Sequence, residues 1–69
     1  MFGKRFVLVS EPPEDYSYHP TWMLLQEAFG EGPFKEKDAI RLLMGRGWYR
    51  ELAENDLTLL SSAGYIKGV

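Results

Sequence analysis

Residues 49–69 read YRELAENDLTLLSSAGYIKGV, and the fold turns on whether this stretch is one helix running into one strand. At 3.6 residues per turn, Tyr49, Ala53, Leu57 and Leu60 share a side, with Leu52, Leu59 and Ala63 widening the apolar face. Glu51, Glu54, Asn55, Thr58 and Ser62 fall opposite. The spacing predicts a helix over about 49–62, greasy towards the domain and polar towards solvent. Gly64 accepts the left-handed backbone that ends a helix. Residues 65–69 then read as a closing strand, with Ile66 returning an apolar side chain to the core.

Upstream, Gly45 and Gly47 bracket Arg46 in a flexible turn. The segment FKEKDAIRLLMG (34–45) predicts a second helix, with Ala39, Ile40, Leu43 and Met44 buried and Lys35, Lys37, Asp38 and Arg41 outward. A first helix begins near Pro20, a residue suited to the first helical turn, and runs to about residue 29. Trp22, Leu25 and Phe29 form its apolar face, with Leu24 and Ala28 alongside, and Gly30, Gly32 and Pro33 end it. Residues 4–10 (KRFVLVS) read as a strand rich in Val and Phe. Residues 11–19 (EPPEDYSYH) form a Pro-rich acidic loop whose Tyr16 and Tyr18 fold back onto the domain.

The chain has 69 residues, 45% hydrophobic, enough for one core and one domain spanning 1–69. It has no Cys and a single His, His19, which excludes disulfides, thiol catalysis and a Cys/His zinc set. The apolar run Phe6–Val9 is far shorter than a signal-peptide core or a membrane span, so a cytoplasmic protein with no membrane partner is expected. Net charge is −2, which alone does not favour a nucleic-acid binder. Its distribution is uneven, however. Residues 11–31 carry Glu11, Glu14, Asp15, Glu27 and Glu31 with no Lys or Arg. Positive charge gathers at Lys4 and Arg5 and again at Lys35, Lys37, Arg41, Arg46 and Arg50.

Helix, short extended piece, helix, turn, helix, Gly, strand is an order that resembles a winged helix-turn-helix over residues 20–69. Leu57-x-x-Leu60-x-x-x-Gly64-Tyr65-Ile66 is similar to that family's passage from the recognition helix into the first wing strand. Phe34, Ala39 and Leu43 are the matching anchors on the second helix. The chain departs from the family in a longer turn at 44–48, in lacking a second wing strand after Val69, and in an added N-terminal strand. Pairing of residues 5–9 with 65–69 would resolve the last two together.

The resemblance implies a small α+β fold, three helices with a minimal sheet of N-terminal and C-terminal strands. It also implies double-stranded DNA binding as a small transcriptional regulator or accessory factor. In the family the third helix enters the major groove while the second helix and wing approach phosphates. By position, Arg50, Glu51, Glu54, Asn55 and Thr58 would face bases, and Lys35, Lys37, Arg46 and Lys67 would face phosphates. A homodimer is expected, because one reading helix offers few phosphate contacts and two-fold pairs gain a second half-site.

The alternative is a winged-helix module that binds protein without DNA. Trp22, Met23, Trp48 and Leu59 are its candidates for exposure, and the acidic stretch 11–15 would meet a basic partner. Enzyme chemistry finds no footing. Glu11, Glu14 and Asp15 sit in a loop without an evident pocket, and Gly45-Arg46-Gly47 lacks the spacing of a phosphate loop. Ser61 and Ser62 have no histidine in sequence reach. No catalysis, no metal and no cofactor are expected.

Overall fold

The computed structural model describes residues 3–69 of the expected 1–69 domain, leaving residues 1–2 outside. Its elements are β1 (Arg5–Leu8), α1 (His19–Phe29), β2 (Phe34–Lys35), α2 (Glu36–Gly45), α3 (Arg50–Ala63) and β3 (Ile66–Gly68). Together they make a small α+β fold, three helices with a three-stranded antiparallel sheet in the order β2-β1-β3.

β1 is the central strand. It pairs with β3 through Phe6↔Gly68, Val7↔Lys67 and Leu8↔Ile66, the partnership expected for residues 5–9 and 65–69. Backbone bonds beyond the strand ends prolong this ladder: Val9 N–H donates to the Tyr65 carbonyl and Val69 N–H to that of Arg5, both at 2.9 Å. On its other edge β1 pairs with β2 through Arg5↔Lys35 and Phe6↔Phe34. Phe34 and Lys35 are therefore strand, not the first turn of a helix over 34–45. Lys35 is extended (φ −82°, ψ 144°), and α2 starts one residue later with Glu36 and Asp38 in its first turn, where the helix dipole favours acids.

Two helices end in the same way. Tyr65 N–H reaches back to the Leu60 carbonyl (3.0 Å) and Gly64 N–H to that of Ser61 (3.1 Å). Trp48 N–H likewise reaches Leu43 (3.0 Å), and Gly47 N–H reaches Met44 (3.1 Å). This is the Schellman arrangement, which needs a positive φ at the residue past the helix. Gly64 (φ 88°) and Gly47 (φ 106°) supply it. Each cap delivers an aromatic residue, Tyr65 or Trp48, onto the edge of the core.

Leu25 from α1, Ala39 and Leu43 from α2, Ala53 and Leu60 from α3 and Ile66 from β3 are fully buried, with Phe6 and Phe34 closing the sheet side. Phe29 stacks on Phe34 (centroids 4.8 Å apart, 13° between planes). Tyr16 packs at 5.1 Å from Tyr65 and 5.5 Å from Tyr18, which holds the acidic loop down as expected.

Several wheel positions differ from expectation. Tyr49 is 79% exposed because it precedes α3 in extended backbone (φ −73°, ψ 156°), where helical periodicity does not apply. Leu52 is 43% exposed, on the flank of α3 outside the sector shared by Ala53, Leu57 and Leu60. Met44 is exposed on the last turn of α2, where it lines an open groove, and Ala28 and Ala63 are exposed near helix ends. Trp22 is buried, as the apolar face read for the first helix has it and not exposed as the protein-binding alternative would need, and its Nε1–H donates to the Tyr65 carbonyl at 3.1 Å.

Candidate nucleic-acid interface

α3 is unbroken through Asn55, and its apolar side packs on the domain while Glu51, Glu54, Asn55 and Thr58 are exposed. Thr58 Oγ1 donates to the Glu54 carbonyl at 3.0 Å, so its hydroxyl is turned back onto its own helix. This outer face carries carboxylates and an amide but no cation. The cations stand at its flank. Lys37, Arg41 and Arg50 line a groove of about 400 Å³ between α2 and α3, over a floor of Ile40 and Met44, with Glu36 and Glu54 among them. Lys37 and Arg41 are four residues apart and so share one side of α2. Arg50 joins them because the Gly47 cap reverses the chain and starts α3 alongside.

A second cationic group lies on the sheet. Phe6, Phe34 and Ile66 point inward, so strand alternation turns Arg5, Lys35 and Lys67 outward together. Arg5 sits directly opposite Lys35, a like-charge pairing that costs stability. Among the described residues, neither these three nor Lys37, Arg41 and Arg50 come within 4 Å of a carboxylate, the basic side chains that do being His19 with Glu11 at 3.0 Å and Arg46 with Glu27 at 3.8 Å. Arg46 stands apart, lining a different groove against α1.

The nine residues expected to contact DNA are thus all exposed, but they divide. Glu51, Asn55 and Thr58 occupy the outer face of α3. Lys37, Arg50 and Glu54 meet in the α2–α3 groove, Lys35 and Lys67 lie on the sheet, and Arg46 sits in the turn. Arg41 and Arg5, which the family resemblance does not single out, join two of these groups. Their signals are present in the sequence: Arg41 follows Lys37 by one helical turn, and Arg5 alternates with the inward Phe6.

One buried polar node joins α1 and the turn to the middle of α3. Asp56 is 2% exposed, and its Oδ2 accepts from Thr21 Oγ1 (2.8 Å) and Trp48 Nε1 (2.9 Å), while Oδ1 has no partner. It ties α1, the turn and α3 at one point. In sequence it lies three residues after Ala53 and four before Leu60, inside the apolar sector. Burial next to the node also acts on Tyr16, whose phenol is held above its ordinary pKa first by desolvation and then by Tyr65, Tyr18 and Asp56.

Glu11, Glu14 and Asp15 are exposed, and His19 Nε2 meets Glu11 Oε2 at 3.0 Å, fastening the loop to the head of α1. No group of three metal-ligating side chains occurs among the described residues. No helix there is long and apolar enough to cross a membrane. No family model matches the chain, and no curated protein or solved structure is similar enough to count as a relative.

Proposed function

We propose that this chain binds duplex DNA in the manner of a winged helix, as a small transcriptional regulator or accessory factor. α3 lies in the major groove, with Asn55 and Glu51 towards base edges, where Asn pairs with adenine and Glu accepts from cytosine. Lys37, Arg41 and Arg50 take phosphates along one flank, and Arg5, Lys35 and Lys67 take phosphates at the sheet. The observation that carries this reading is six exposed cations, grouped three and three, without carboxylate partners within 4 Å among the described residues. A like-charge pair held opposite across a short ladder is a cost that a phosphate ligand would relieve. The topology supports it too, because β1 gives β3 the pairing that a second wing strand would otherwise supply.

The test is titration of the isotope-labelled chain with a short duplex at about 50 mM and about 200 mM salt, following amide shifts. Six phosphate contacts imply a log–log salt slope near −5.4, or roughly a thousandfold loss of affinity over that fourfold range. Replacing Lys37, Arg41 and Arg50 with Ala should make the slope shallower by about 2.7. Absence of shifts at the lower salt, or an unchanged slope in the variant, overturns the assignment.

A further inference from the structure

Between α1 and the turn before α3 runs an open groove of about 720 Å³, walled by Pro20, Met23 and Leu24 on one side and Trp48 on the other, with Glu27 and Arg46 on its rim. Tyr49 follows Trp48 directly and is, among the described residues, the most exposed of the large apolar side chains. Leu52, one turn before Asp56 on α3, is a further exposed apolar side chain. An aromatic held this far out of its own core contributes little to the fold, and tyrosine is well suited to contact at low entropy cost.

We propose that a second copy of the chain occupies this groove across a two-fold axis, each Tyr49 entering the partner's groove. A two-fold contact uses one patch twice, so the patch must contain both projection and recess and both signs of charge. This one does. The projection is Tyr49 and the recess begins at the residue before it. The rim holds one carboxylate and one guanidinium that are poorly engaged at 3.8 Å, their side chains 74% (Glu27) and 54% (Arg46) exposed. Exchange across the axis sets Glu27 against the partner's Arg46 twice. A partner of another chemistry would need only one half of this complementarity. This groove shares no lining residue with the α2–α3 groove or the outward sheet cations, and the dimer does not depend on the DNA reading.

Sedimentation equilibrium without DNA, from about 10 µM to about 1 mM, should show the mass rising from the 8.0 kDa monomer towards twice that value. Tyr49→Ser should weaken association by about tenfold or more, as loss of an aromatic anchor does. E27R and R46E should each abolish it by placing like charges across the axis. An equal mixture of E27R and R46E should restore it, because the altered rims then complement each other. That rescue distinguishes contact between copies from the pair within one chain. All three positions are exposed, and circular dichroism checks that each variant is folded. A wild-type mass fixed at 8.0 kDa at the highest concentration overturns the proposal. So does undiminished association of Tyr49→Ser, or a mixture that stays monomeric.

Discussion

Asp56→Ala removes the acceptor shared by Thr21 Oγ1 and Trp48 Nε1. The Thr21 hydroxyl is left in a residue only 2% exposed, where water does not replace the lost bond. An orphaned buried donor costs about 1–3 kcal/mol. The half-buried Trp48 N–H belongs at the low end of that range, since water reaches it more easily. Against this, the substitution also removes the buried and unpartnered Oδ1. The net loss should be about 1–2 kcal/mol. At roughly 0.05–0.15 kcal/mol per residue, a 69-residue domain has about 3–10 kcal/mol in total, so this one carboxyl group holds about a tenth of it or more. Urea denaturation followed by far-UV circular dichroism measures the loss. A double-mutant cycle with Thr21→Val isolates the pair. Thr21→Val should destabilise the wild type yet be neutral or stabilising in the Asp56→Ala background, giving a coupling of about 1–2 kcal/mol. A coupling below about 0.5 kcal/mol would refute the view that this node ties α1 to α3.

The two glycines of the α2–α3 turn should respond oppositely to alanine. Gly45 is helical with open space where a methyl group would stand, so Gly45→Ala should stabilise by about 0.5–1 kcal/mol. Gly47 has φ 106°, so Gly47→Ala should destabilise by about 1–2 kcal/mol although nothing obstructs the methyl group, and thermal melts check both. Arg5→Glu turns the like-charge pair with Lys35 into an attractive one and should add about 0.2–1 kcal/mol of stability while weakening retention on duplex DNA. If retention is unchanged, the sheet cations are not phosphate contacts. Tyr16 makes alkaline stability fall: its folded pKa lies above the ordinary 10.0, so above pH 10 the unfolded chain releases a proton the folded chain keeps. Its effect is constant below that pH and grows as pH rises towards the folded value. The Tyr16→Phe variant should show a shallower alkaline decline than wild type in urea midpoints compared across the window.

The candidate surface shows how far one-dimensional pattern reaches. Spacing alone puts Glu51, Asn55 and Thr58 on the outer face of α3, because helical residues on one face recur by a fixed angle. The same rule cannot say that Arg50 stands beside Lys37 and Arg41 while Arg46 faces α1. Those neighbours come from different elements, and their proximity depends on how the Gly47 cap redirects the chain.

Read alone, the 69 letters determined the three helices, the glycine that stops α3, and the pairing of the N-terminal strand with the C-terminal one. Each of these rests on local chemistry: apolar periodicity, positive-φ tolerance, or an edge that needs a partner. Three-dimensional packing decided the rest. It turned Phe34 and Lys35 into a third strand, buried Asp56, and left Tyr49, Leu52 and Met44 outside. Burial is a property of what the neighbouring elements cover, and periodicity names a face without saying what lies against it.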